Sequence, residues 1–265
     1  MAPRITIDNL AYRYFAAGNP VFVGLSLEIP PGTCCAVLGP TGAGKTTLLE
    51  ILSGIAGSQC KTSVAEGIIQ IGENQYEPIP KATLFPGVGL LLQDPDVQIS
   101  GIRDTVAAEV EFTLEQLSIS ATDRQRRVRD ILADLGLSPL SQRHPLGVSG
   151  GERQRIALAS VLVASPSLLL LDEPANALDS RSQHLLKGIL RSRKETTTII
   201  LTDYSIDFAL GLADMFVVLA AGRLVFQGTS TDFFKALVSM QDLLPIEYWK
   251  LLQSRLPKTR VRIPL

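Results

Sequence analysis

Tryptophan occurs once in this 265-residue chain, histidine twice and cysteine three times, and aromatic residues make up only 6%. The cysteines are Cys34, Cys35 and Cys60, two of them adjacent in an apolar run, so neither a disulfide framework nor a metal-ligand spacing is present. They read as small buried hydrophobes in a reducing compartment. A basic surplus is also missing. Lys and Arg number 25 against 26 Asp and Glu, for a net charge of −1, which argues against a nucleic-acid partner. No apolar run reaches the roughly 20 residues of a membrane span. The longest, Ile156 to Leu171, is cut by Ser165-Pro166-Ser167. The opening MAPRITIDNL lacks an apolar signal core and transit-peptide character. A soluble chain is expected, and its 46% hydrophobic content is ample for a core.

What is present centres on GPTGAGKTT, which fits G-x-x-x-x-G-K-[ST] with Gly39, Gly44, Lys45 and Thr46 at the fixed positions. An apolar run, Thr33 to Leu38, precedes it, and Leu48, Leu49 and Leu52 lie on one helical face after it. Strand, loop and helix in that order let consecutive N–H groups turn inward around a phosphate. The loop Gly39, Pro40, Thr41, Gly42, Ala43, Gly44, Lys45, Thr46 and Thr47 is therefore a candidate nucleoside triphosphate cradle. Lys45 is expected to reach the β- and γ-phosphates, and Thr46 to hold Mg²⁺.

Along the chain, Arg4 to Tyr14 alternates like an exposed-edge strand, and Val21 to Ile29 does the same. Tyr14 ends its strand, where a ring can stack on adenine or serve as an ordinary core or edge aromatic. Glu66 to Asn74 reads as a further strand and turn, and Val88 to Leu92 as a buried strand leading to Gln93. From about Ser100 to Ala164 the pattern is helical: Val106, Val110, Leu114 and Leu117, then Val128, Ile131, Leu132 and Leu135. The second helix carries Arg124, Arg126, Arg127 and Arg129, read as a solvated face ahead of a contact to acidic groups. Strands return from Ser167, with helices between. A phosphate-loop α/β core interrupted by a helical insert is the simplest architecture.

Further motifs carry chemistry. LLLLDEP delivers Asp172 and Glu173 at the end of an apolar strand, suited to a metal-bound water and a general base respectively. VSGGERQR places Ser149, Gly150, Gly151 and Glu152 at a helix start, as an anion site or a plain N-cap. Gln93 in LLQDPDVQ and NALD, ending in Asp179, are loop residues or caps when taken alone.

Together these motifs, in this order and spacing, resemble the ATP-binding cassette ATPase family over nearly the whole chain. The resemblance implies a P-loop NTPase (RecA-like) α/β core with an antiparallel β subdomain and an inserted α-helical subdomain. Core segments are expected at 1–99 and 165–240, the helical signature subdomain at 100–164, and a tail at 241–265. It implies ATP and Mg²⁺ as cofactors, with Thr46, Gln93 and Asp172 at the metal. Glu173, Gln93 and Asp203 fall at catalytic positions. Two subunits would pair head to tail, so Ser149 and Gly151 would act in the partner's site, and Tyr14 falls at the adenine-stacking position. The run Gln93, Pro95, Asp96, Gln98, then Thr105, Val106, Glu109, Val110 and Phe112, is similar to energy-coupling factor ATPases, which drive import of vitamins, cobalt or nickel. That implies transmembrane coupling and substrate-binding subunits, no nucleic acid, and a place on the inner face of the cell membrane. Asp94 and Asp96, with Val97 and Ile99 expected to be exposed, would dock the membrane partner.

One departure is notable. Asp203 stands where the family carries a γ-phosphate histidine; His144 and His184 lie elsewhere. This suggests a weakened site and favours a heterodimer. A soluble ABC ATPase uncoupled from transport and a largely non-hydrolysing nucleotide-binding subunit remain the alternatives. The interval between Gln93 and Ser149 is too short for the coiled-coil inserts of DNA-repair relatives. Lys258, Arg260 and Arg262 in the tail offer a lipid-headgroup contact.

Overall fold

The computed structural model describes residues 1–15, 18–56, 64–76, 85–203, 206–236 and 240. Cys60 and the tail segment with its basic residues lie outside them.

Two sheets organise the described residues. The smaller is antiparallel in the order β2-β1-β4-β5, built from β1 (Ile5–Arg13), β2 (Phe22–Ile29), β4 (Val64–Ile71) and β5 (Asn74–Tyr76). The larger runs β10-β9-β3-β8-β7-β6. It contains β3 (Cys34–Leu38), β6 (Val88–Leu91), β7 (Leu168–Asp172), β8 (Thr198–Thr202), β9 (Met215–Ala220) and β10 (Arg223–Thr229). All its pairings are parallel except β9 with β10. A parallel sheet covered on both faces needs apolar residues at every position. That explains the unbroken runs CCAVL, LLLLD and TIILT, each buried throughout.

Strand periodicity divides this sheet between two cores. Cys35 and Val37 face the smaller sheet together with α1 (Lys45–Ser53), whose residues Thr47 to Ser53 are all buried. Cys34, Ala36 and Leu38 face the helices on the other side. Those are α3 (Val106–Glu115), α4 (Ala121–Asp134), α5 (Gly150–Leu162) and α6 (Ser180–Arg193), with a single turn, α2 (Pro95–Gln98), before them. A 3-10 turn, Ser138–Leu140, precedes α5. Two short helices, α7 (Ile206–Ala209) and α8 (Ser230–Ala236), flank β9 and β10.

Several expectations are revised. β1 lies between β2 and β4 rather than at an edge, and its alternation marks a strand with one face on the core. β6 is the edge of the larger sheet, and only Leu91 in it is fully buried. Leu117 lies beyond α3 and is exposed. Three arginines of α4 are paired: half-buried Arg124 with Glu111 (Nε at 3.2 Å), and exposed Arg126 with Asp123 (3.1 Å) and Arg129 with Asp130 (3.5 Å).

Candidate functional site

The phosphate loop leaves the C-terminal end of β3. At Gly39 (φ 149°) a Cβ would lie 2.2 Å from the Leu219 carbonyl oxygen of the neighbouring strand. Gly44 (φ 99°) caps α1, and a Cβ there would run into the Phe22 ring at 2.7 Å. Both glycines are thus required for the loop's path. Lys45 Nζ donates to the carbonyls of Gly39 (2.9 Å) and Pro40 (3.0 Å). Burial lowers its pKa below the ordinary value, opposed by the charges of Glu173 and Asp172. Its ammonium is held by two neutral carbonyls of the loop, and the loop is open at Gly42, where a Cβ would meet nothing within 4 Å. That geometry fits a polyanion.

Tyr14 reaches the same helix. Its hydroxyl lies 2.8 Å from Thr47 Oγ1 and donates to Glu50 Oε2 at 2.7 Å, while its ring meets Tyr12 edge-on. Burial first, and the neighbouring Glu50 carboxylate as well, push the phenol pKa upward.

Asp172 ends β7 beside the loop. Its Oδ2 accepts from Thr46 Oγ1 at 2.7 Å, and its Oδ1 from the fully buried Thr202 hydroxyl. A hydroxyl and a carboxylate so placed suit Mg²⁺, which takes few protein ligands and keeps several waters. Glu173 follows with φ 48°, in the left-handed region. Its N–H donates to Thr202 Oγ1 at 3.0 Å, and its Oε2 accepts from Gln93 Nε2 at 2.9 Å and from Asn176 Nδ2. Thr202 and Asn176 had not been assigned these roles from sequence. A hydroxyl closing a strand whose middle is apolar, Ile199 to Leu201, was the available signal for Thr202. Asp203 comes one residue past the Asp172–Thr202 pair and is 2% exposed.

Ser149 caps α5 in a reciprocal box. Its hydroxyl accepts from Glu152 N at 3.4 Å, and its own N–H donates to Glu152 Oε2 at 2.8 Å. The Ser149 backbone donor, then its hydroxyl, hold the Glu152 carboxyl below the usual range. Asp179 caps α6, accepting from Ser182 N at 2.7 Å, which lowers its pKa too. Among the described residues no hydrogen bond joins Ser149, Gly150, Gly151 or Glu152 to the phosphate loop. One chain thus gathers the loop, Asp172, Glu173 and Gln93 at one place and presents its signature residues at another.

The segment after Gln93 is anchored by its side chains. Asp94 caps α2, and Gln98 bridges Leu92 N (3.0 Å) and the Leu90 carbonyl (2.9 Å). Asp96 pairs with Arg153 at 2.6 Å, and Ser100 with the buried Glu109. Val97 is 71% exposed as expected, but Ile99 is only 6% exposed. Ile99 joins the helical core, because the chain turns inward after α2 to meet α3. Exposed Ile102 and Leu146 lie nearby in sequence or contact, Leu146 packing against Gly101.

A glycine loop joining a buried parallel strand to a helix, with a strand-end carboxylate on the loop's threonine, defines a P-loop NTPase. Within that class the chain belongs to the ABC transporter family, whose sequence profile matches residues 22–176. The chain is 32% identical to the energy-coupling factor transporter ATP-binding protein of Latilactobacillus sakei, covering 98% of this chain and 91% of that one. A Pyrococcus horikoshii protein named for ABC transporter ATP binding is 34% identical, over 98% and 87% of the two chains. Among solved structures, cbiO1 from Clostridium perfringens, described as part of the ABC transporter complex cbiONQ, matches with a TM-score of 0.74 and 27% identity. That match covers 96% of each chain. The chain is an ABC transporter ATP-binding subunit, and no helix among its described residues is long and apolar enough to cross a membrane.

Proposed function

We propose that this subunit, seated on the inner face of the cell membrane, powers an importer of the energy-coupling factor type that takes up a vitamin or a transition-metal ion. The supporting observation is the division of its chemistry: the phosphate loop and its carboxylates converge, while Ser149 to Glu152 stand exposed or half-exposed with no hydrogen bond to them. Such a half-site needs a second ATPase subunit, arranged head to tail.

In this reading Lys45 exchanges the carbonyls of Gly39 and Pro40 for phosphate oxygens, and the loop N–H groups surround them. Thr46, Asp172 and Gln93 would hold Mg²⁺, which when bound would neutralise phosphate charge. Glu173 takes the proton of the attacking water. Its Oε2 accepts from Gln93 and Asn176, which hold the carboxylate in place beside the loop. Tyr14 stacks on adenine, and Ser149 and Gly151 donate to the γ-phosphate bound by the partner. The test is turnover against concentration. The dilute chain should hydrolyse little ATP and gain activity with its ATPase partner and membrane subunits. Full, concentration-independent activity in a monomer refutes the reading.

A second reading, slow hydrolysis at this chain's own loop, is favoured by Asp203. An ionised carboxylate cannot donate to a phosphate, and at about 5 Å with an effective dielectric near 20 the repulsion is at most about 3 kcal/mol, roughly a hundredfold in rate if fully expressed and less once the side chain turns away or takes up a proton. In a heterodimer whose other site is disabled, Asp203→His should raise turnover at saturating Mg-ATP. A level or lower rate would show that Asp203 is a working part of the site.

A further inference from the structure

Every residue of α1 from Thr47 to Ser53 is buried, and one of them, Glu50, carries a carboxylate. Glu50 is only 9% exposed, and among the described residues no cation pairs with it. A carboxylate kept from water without a counter-charge is costly unless donors satisfy it. Its donor is the Tyr14 hydroxyl, 2.7 Å from Oε2. Thr47, one turn earlier on the same face of α1, has its Oγ1 2.8 Å from that hydroxyl. A phenol has a single proton, and Tyr14 gives it to Glu50, so Thr47 is the donor in the second contact. The order is therefore fixed: Thr47 donates to Tyr14, and Tyr14 to Glu50. Burial raises the phenol pKa above its usual value, so the proton stays on Tyr14 at neutral pH.

Tyr14 stands one residue past β1, beyond Arg13 and Val64, the last pair that the sheet makes at that end of the strand. Strand pairing thus stops short of it. Its ring meets Tyr12 edge-on at 5.1 Å, and its hydroxyl is tied to α1. An edge contact alone lets the side chain swing, whereas a hydroxyl anchored on a helix fixes its far end.

We propose that Glu50 is a positioning residue for nucleotide binding: by accepting the Tyr14 proton it holds that ring ready for the base, in register with the phosphate loop. The proposal rests on the reading of Tyr14 as the base platform given above. It joins the two ends of the ligand's site, because the helix that begins at Lys45 also carries the anchor of the ring. Phosphates and base then meet one rigid element, and the ring is ordered before the nucleotide arrives.

Calorimetry on the full chain measures dissociation constants for Mg-ATP and for magnesium tripolyphosphate, which has the phosphates without base or ribose. Glu50→Ala should weaken ATP about fivefold, the cost of ordering one freed side chain, and leave tripolyphosphate within about twofold. Glu50→Gln, whose amide oxygen still accepts from Tyr14, should hold ATP within about twofold of native. Tyr14→Phe removes the same bond from its other end and should match Glu50→Ala. The double variant should lose no more than either single one, because both changes break one contact. Native ATP affinity in Glu50→Ala and Tyr14→Phe overturns the proposal. So does a parallel loss of both ligands, which marks a merely structural role, and so do losses that add in the double variant. Tyr14→Ala tests the premise separately and should weaken ATP more than Glu50→Ala does. An ATP affinity unchanged by Tyr14→Ala refutes the base platform itself, and the role of Glu50 with it.

Discussion

Thr202 offers the sharpest test of how this site is built. Its hydroxyl donates to Asp172 and accepts from the Glu173 N–H, and it is fully buried. Thr202→Val keeps the shape and removes both bonds. One is to a charged carboxylate and the other leaves a backbone donor without its acceptor, together about 2–4 kcal/mol. For a chain of this size that lowers the melting midpoint by about 5–15 °C. The second effect is on chemistry. Without its acceptor, Glu173 loses the contact that holds its backbone at φ 48°, and a base displaced by about 1 Å can lose a hundredfold in turnover. Differential scanning fluorimetry and ATPase assays on the assembled dimer read the two effects separately. Thr202→Ser, which keeps the oxygen, should retain most of both. A Thr202→Val protein melting within about 2 °C of the native chain would refute the reasoning, because the bonds would then carry little of the stability assigned to them.

Other consequences are as direct. Lys45→Ala removes a charge-assisted phosphate contact of about 1.5–3 kcal/mol, so ATP affinity measured by calorimetry should fall at least about tenfold. An unchanged dissociation constant contradicts the loop assignment. Val97→Ser should weaken co-purification with membrane subunits while sparing ATP affinity. Ile99→Ser should instead destabilise the fold, since Ile99 is core, and equal melting midpoints for the two would be wrong for this structure. Glu152 has a folded pKa below its ordinary value of 4.5, so its capping contribution is complete above that value. It is lost as pH falls through the lowered folded value; the protection of the Ser149 and Glu152 amides relative to their intrinsic exchange rates should therefore fall under acid, but not in Glu152→Gln. With Cys34 raised to about 12 by burial and Cys35 also raised, neither should label with a thiol reagent at pH 8 in the native state.

The phosphate loop, its strand and its helix were legible because they are contiguous and carry fixed residue types. Asp172 and Glu173 were legible because an apolar strand ending in acids has few other uses beside such a loop. Alternation in β1 was misread as an edge pattern, since any strand with one buried face alternates, and pairing on both sides is decided by distant β2 and β4. Ile99 misled for a similar reason: an apolar residue beside acidic ones looks exposed until the turn of α2 directs it inward. Thr202 and Asn176 became visible only when β8 and the segment after β7 were laid beside Glu173. Ser149 was open between cap and anion site, and Asp179 between loop residue and cap. The structure shows the caps, and the anion role stays with the proposal.

The left-handed backbone at Glu173 has a consequence for variation at that position. A glutamate there costs on the order of 1 kcal/mol relative to a residue at ease with positive φ. A library selected for folding alone would therefore enrich Glu173→Gly and Glu173→Asn, the replacements that remove the carboxylate proposed as the base. One selected for ATP hydrolysis, on the role proposed for Glu173, would retain the carboxylate and reject both. Divergence between two such screens at a single codon would identify a residue kept against the preference of its own backbone.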